Sequence, residues 1–341
     1  MPVAQSTSRT KPPALRAGDT IGIVAPASNI QRDLLITGCG VLRRLGYLPV
    51  YSDSIFDCDL YFAGTLERRL RELEEMFVRD DVRAIICARG GYGSNYLLGR
   101  LDPSKIATHP KIFVGYSDIT SLLTCFCDSA RFVTFHGPMV TKDFAHEDGV
   151  DLPSWQSAMS GAANYELVAD DSGVSSLYAG SSAGILYGGC LSILVASLGT
   201  PHEIHTDGTI LFLEDVNAKP FQIDRMLMQL REAGKLNAVK GIVFGEMLDC
   251  MQSPTQDYTL QEVVRRVIGD LGIPIAWGLR SGHVTRRNVT LPLGVRAALE
   301  VTSCEVSLRV LEPATENASS EASSRDGRES TPAETRRENR S

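Results

Sequence analysis

The chain has 341 residues, 43% hydrophobic and 22% charged, an ordinary folded-protein composition long enough for two compact cores. Its 34 basic and 41 acidic residues leave a net charge of −7, which disfavours nucleic acid or an anionic membrane as partner. Residues 1–13 lack an apolar signal-like stretch, and the longest apolar runs, such as 191–198, fall well short of the ~20 residues needed to span a bilayer, so a cytoplasmic protein is predicted. Eight cysteines (39, 58, 87, 125, 127, 190, 250 and 304) show no CxxC pair and no Cys/His ligand spacing. They read as reduced core thiols, and neither a metal nor a cofactor is expected.

Residues 1–14 are expected to form a flexible N-terminus. From 15 to 140, apolar segments at 20–25, 48–51, 82–88, 112–115 and 132–135 alternate with helical periodicity at 31–45, 66–78, 94–101 and 119–128. That alternation predicts an α/β domain built on a parallel sheet covered on both faces. In such sheets ligands bind outside the carboxyl ends of the strands. Residues 141–183 are weakly patterned and rich in Gly, Ser and Asp, which suggests an inter-domain crossing. Between 184 and 312 lie strands at 210–213, 241–244, 275–277, 289–291, 297–301 and 306–310, with helices at 221–233 and 260–268. This predicts a mixed β/α second domain, richer in strands than the first. From 313 to 341 alanines stand almost alone among Ser, Glu, Arg and Thr, too little apolar surface to offset ordering entropy, so a disordered tail is expected.

In Gly115-Tyr116-Ser117-Asp118 a serine stands where an apolar strand gives way to a helical pattern. On such a turn a hydroxyl is lifted above the sheet edge beside the first N–H groups of the helix, a place for a nucleophile. The competing reading is a helix cap formed by Ser117 or Asp118. A serine nucleophile needs a base, and the base works best when a third group orients it. His136, after a first-domain strand, and His283, in Gly278-Leu279-Arg280-Ser281-Gly282-His283, are the candidate bases. The glycine before His283 leaves room for a ligand near the backbone, which favours it modestly. Glu214 and Asp215 end the apolar strand 210–213, where a charge is costly unless paired; as solvated acids or caps they would need no partner. The loop Arg89-Gly90-Gly91-Tyr92-Gly93 offers bare backbone to a reacting carbonyl, with Gly90 and Tyr92 as candidate substrate contacts. Phosphate binding is disfavoured, because Gly91-Tyr92-Gly93-Ser94-Asn95-Tyr96 lacks the last glycine of GxGxxG and no GxxxxGK[ST] occurs.

These segments together resemble the LD-carboxypeptidases, the muramoyltetrapeptide carboxypeptidases among serine peptidases, with the microcin C self-immunity peptidases as relatives. The resemblance is carried by Gly18 to Pro26, Arg89 to Gly93, Gly115 to Asp118, Phe135-His136-Gly137-Pro138-Met139, Leu213-Glu214-Asp215-Val216, Ile223-Asp224-Arg225-Met226-Leu227 and Gly282-His283. It implies a Ser117, Glu214 and His283 triad, with the backbone N–H groups of Gly91 and Asp118 as the oxyanion hole. It further implies a flavodoxin-like or amidotransferase-like N-terminal domain, a smaller mixed C-terminal domain, and often a homodimer. The implied reaction releases a terminal D-amino acid, such as D-alanine, from a small peptide of the cell wall during recycling. Immunity-type cleavage of a peptidyl or aminoacyl nucleotide is the alternative. A non-catalytic binding protein on the same fold should lack a triad residue, whereas all three are present. A cysteine amidotransferase is disfavoured because Cys87 lies inside an apolar strand. One departure is Cys190, where the family commonly carries asparagine.

Overall fold

The computed structural model describes residues 8–168 and 173–317. The first sheet contains β1 (Thr20–Val24), β2 (Leu48–Val50), β3 (Val82–Cys87), β4 (Ile112–Gly115) and β5 (Thr134–His136). Their spatial order is β2-β1-β3-β4-β5, all parallel, the flavodoxin-like arrangement. β3 reads Val-Arg-Ala-Ile-Ile-Cys and β4 Ile-Phe-Val-Gly, nearly continuous apolar runs. Such strands are buried on both faces, here by α1 (Arg32–Arg44) and α2 (Leu66–Val78) among others. The Thr65 side chain caps α2 by accepting from the Arg68 N–H at 3.2 Å.

The second sheet has eight strands. They are β6 (Tyr165–Glu166), β7 (Ser175–Tyr178), β8 (Gly180–Cys190), β9 (Thr209–Glu214), β10 (Gly241–Gly245), β11 (Ile275–Leu279), and two that follow β12 (Leu291–Leu293), namely β13 (Arg296–Val301) and β14 (Val306–Val310). β8 to β11 run parallel, and antiparallel strands flank them. The fold is therefore mixed α/β with two sheets, the second richer in strands, as the pattern predicted. Strand β12 does not join it. Although it follows β11 in sequence, it pairs antiparallel with β5 and forms an edge of the first sheet.

Both ends differ from expectation. Residues Arg9 to Ala14 are not free: the Thr10 N–H donates to Arg131 O at 2.8 Å and Arg9 pairs with Asp128 at 3.1 Å. Of the expected tail, Pro313 to Asn317 belong to the body, with Ala314 and Thr315 buried and the Glu316 N–H donating to Pro12 O at 2.8 Å. Small side chains here fit against the N-terminal segment, a long-range pairing that composition does not report. The rest of the expected tail lies outside the described residues. The weakly patterned stretch 141–183 carries the helix Leu152–Met159 as well as β6 and β7.

Candidate active site

Strand β4 ends at Gly115, and the chain turns sharply into the helical segment that follows. Ser117 sits on this turn with φ +63°, left-handed backbone that a non-glycine residue adopts only where its surroundings enforce it. The neighbours are glycines for a steric reason. A Cβ on Gly115 would stand 2.8 Å from the Ile119 side chain, and one on Gly90 would stand 2.8 Å from the Ser117 Cβ. Ser117 is half-buried and its hydroxyl makes no hydrogen bond among the described residues.

The loop after β3 faces this turn. Gly91 has φ +109°, and a Cβ there would collide with Ser28, whose Oγ accepts from the Tyr92 N–H at 3.1 Å. The Gly91 N–H has no partner among the described residues. Two buried groups shape the loop. Arg69 donates to Pro26 O and to Gly93 O, each at 2.8 Å, and the Asp118 carboxylate accepts from the Ser94 N–H at 2.8 Å. Burial raises the Asp118 pKa above the ordinary carboxylate value, against the Ser94 and Gly93 N–H groups that favour its charge. Tyr92 does not enter the cavity beside Ser117. Its ring is half exposed and packs on Phe62, Tyr61 and Tyr96, in an aromatic patch on the outside of the loop.

From the second sheet, fully buried β9 delivers Glu214 at its carboxyl end. The Glu214 Oε2 accepts hydrogen bonds from the His283 backbone N–H at 3.1 Å and from its Nδ1 at 2.7 Å. Burial alone would raise the Glu214 carboxyl, but the His283 charge and hydrogen bonds outweigh it and hold the carboxyl below its ordinary value. For His283, burial opposes the cation, yet Glu214 prevails and raises the imidazole above 6.5. His283 and Ser117 line one cavity of about 370 Å³, together with Gly90, Gly91, Arg89 and Lys142. No hydrogen bond joins the two.

Further residues, silent in the sequence, hold His283 in place. Buried Asn288 accepts from the Gly282 N–H at 3.0 Å, donates to Gly282 O at 3.2 Å, and donates to Asp143 Oδ1 at 3.1 Å. Asp143 in turn accepts from the Met139 N–H at 2.7 Å, and burial lifts its carboxyl to about 6. The other candidate base, His136, is fully buried on β5, and neither ring nitrogen has a hydrogen-bond partner among the described residues. Burial lowers its pKa to about 4, so it stays neutral in ordinary conditions. A Cβ on Gly282 would fall 2.8 Å from both His136 Nε2 and Glu214 Oε2, so only glycine fits between them.

Among the described residues, Cys190, Glu214 and His283 bring possible metal-ligand atoms within 4.8 Å of one another. An ion there would have to displace the 2.7 Å bond between Glu214 and His283. Among the described residues, no helix is long and apolar enough to cross a membrane.

Residues 21–137 match the N-terminal domain of LD-carboxypeptidases, and residues 183–299 match their C-terminal domain. A probable murein peptide carboxypeptidase of Bacillus subtilis is 38% identical over 292 residues, 85% of this chain and 91% of that protein. The microcin C7 self-immunity protein of Escherichia coli is 31% identical, over 86% of this chain and 94% of its own length. The crystal structure of a muramoyltetrapeptide carboxypeptidase from Oxalobacter formigenes superposes with a TM-score of 0.76 at 32% identity, covering 86% of this chain and 99% of that one. With both halves matched in order, the chain belongs to the LD-carboxypeptidase family and is a serine-type carboxypeptidase.

Proposed function

We propose that the protein hydrolyses the bond between an L-centre and a terminal D-amino acid, releasing D-alanine from murein tetrapeptides, through an acyl-enzyme on Ser117. The observation that carries this reading is the 2.7 Å bond from His283 Nδ1 to buried Glu214, on an imidazole that shares its cavity with the left-handed Ser117. Glu214 fixes the imidazole so that Nε2 faces the cavity and stabilises the cation formed when Nε2 takes the Ser117 proton. The Ser117 Oγ attacks the peptide carbonyl, and the N–H groups of Gly91 and Asp118 bind the resulting oxyanion. Collapse returns the proton from His283 to the leaving nitrogen, the D-amino acid departs, and water cleaves the ester by the same relay. All eight cysteines are free, which supports a reducing, cytoplasmic compartment.

The microcin immunity relative favours a second reading, cleavage of an aminoacyl nucleotide. Mass spectrometry after incubation with murein tripeptides, tetrapeptides and pentapeptides and with aminoacyl sulfamoyl nucleosides separates the two. The expected product is the tripeptide plus free D-alanine from the tetrapeptide. Ser117→Ala, Glu214→Gln and His283→Ala should each lower kcat by several orders of magnitude, and the Ser117→Ala/His283→Ala pair should cost little more than either, as expected of groups acting as a unit. Turnover of the nucleoside alone would establish the second reading; near wild-type turnover by folded Ser117→Ala would end the serine mechanism.

A further inference from the structure

The cavity beside Ser117 does not end at the imidazole. A second cavity of about 280 Å³ opens beyond His283, and four side chains line both: Tyr116, Lys142, His146 and His283. Of these, Lys142 alone carries an ammonium. It is exposed and has no ion-pair partner among the described residues. Its charge is felt in the site, where it opposes the cationic form of His283 and favours the charged form of Asp143. Two other cations line one cavity each. Arg89 lines only the first cavity, beside Gly90 and Gly91, and Arg286 lines only the second, whose wall also carries the acids Glu147 and Asp148.

Given the peptidase reading above, reaction chemistry decides which side holds which part of the substrate. The imidazole that accepts the Ser117 proton must hand it to the leaving nitrogen, so the leaving group lies on the His283 side. In a carboxypeptidase that leaving group is one amino acid, and its carboxylate carbon is two bonds from the nitrogen. The carboxylate therefore falls close to His283, where the two cavities meet, and an anion placed further out would meet Glu147 and Asp148.

We propose that Lys142 forms the subsite for the terminal carboxylate of the substrate and so restricts cleavage to the last residue of a peptide. Removing it strips the leaving group of its charge partner while the serine, imidazole and oxyanion donors stay in place.

The test compares two peptides identical except that the terminal D-alanine ends in a free carboxylate or in a carboxamide. The wild-type chain should prefer the acid by at least about 100-fold in kcat/KM, the size of a well-placed charge contact. Lys142→Met should lower kcat/KM on the acid by about 10- to 100-fold, mainly through KM, and collapse the preference; Lys142→Arg should restore much of it. Arg89→Gln and Arg286→Gln should keep the wild-type ratio. A Lys142→Met enzyme with native circular dichroism and an unchanged ratio overturns the subsite, as does loss of the ratio in either arginine variant instead. A wild type that cleaves both peptides equally also overturns it and leaves the peptidase reading standing. A wild type that cleaves neither overturns that reading itself.

Discussion

Ser117 carries a backbone conformation that costs a non-glycine residue about 1–3 kcal/mol, held by the packing of Gly90 and Gly115 around it. His283 shows how charge completes the arrangement. Its imidazole works as a base only when neutral, and Glu214 holds its pKa above 6.5. The acid limb of kcat/KM against pH should therefore lie above the ordinary histidine value. In Glu214→Gln burial dominates, and the residual activity should show that limb displaced downward; a limb unchanged by the substitution would remove Glu214 from the site. The sign for stability is opposite. A raised histidine pKa contributes stability below about 6.5 that is lost as pH climbs through the folded value, so the active form is the one without this contribution. At this scale the sequence was informative where a polar residue ended an apolar strand, as at Ser117 and Glu214. It was silent about Asn288 and Asp143, because a buried amide that reads both backbone groups of Gly282 has no local pattern.

Elements with regular periodicity were legible nearly to the residue: α2 and β14 fall on the predicted spans, and β1, β3 and β9 within one residue at each end. Strand β8 was not. No strand is expected over 180–190, where glycines recur, yet a Cβ on Gly184 would stand 2.6 Å from Gly208 O, so close strand approach demands the residue type that hides the strand. The segment from Arg280 to Asn288 has no regular structure of its own and depends on its clamp. Asn288→Ala leaves both Gly282 groups and one Asp143 oxygen without their partner, a loss of about 2–3 kcal/mol. The melting temperature should fall by roughly 3–4 °C. kcat should fall with it, since the imidazole is no longer fixed. Calorimetry and kinetics on the same preparation check both, and a native melting temperature would show that the clamp carries no energy.

Across the whole molecule, the two chain ends close on each other. Lys11 pairs with Glu312 at 2.9 Å, and the Ala14 N–H donates to Glu316 O at 2.8 Å. Truncation before Pro313 should lower the melting temperature by several degrees more than truncation after Asn317, because only the first removes buried Ala314 and Thr315. Equal melting temperatures would show that this seam contributes nothing. Composition failed here because these small residues gain burial from partners far along the chain, Pro12 some 300 positions away and Met159.

Strand β12 has a last consequence. The chain leaves the second sheet after Leu279, passes through His283, and then pairs with His136 of the first sheet at Leu291. The halves recognised as separate family modules are thus stitched together just beyond the imidazole. A gene fragment ending before residue 183 would bare the β5 edge, and one beginning there would carry an orphan strand. Exchange of modules between relatives should therefore succeed only when the crossover point keeps β5 and β12 from the same parent, a constraint on recombination invisible in a linear domain map.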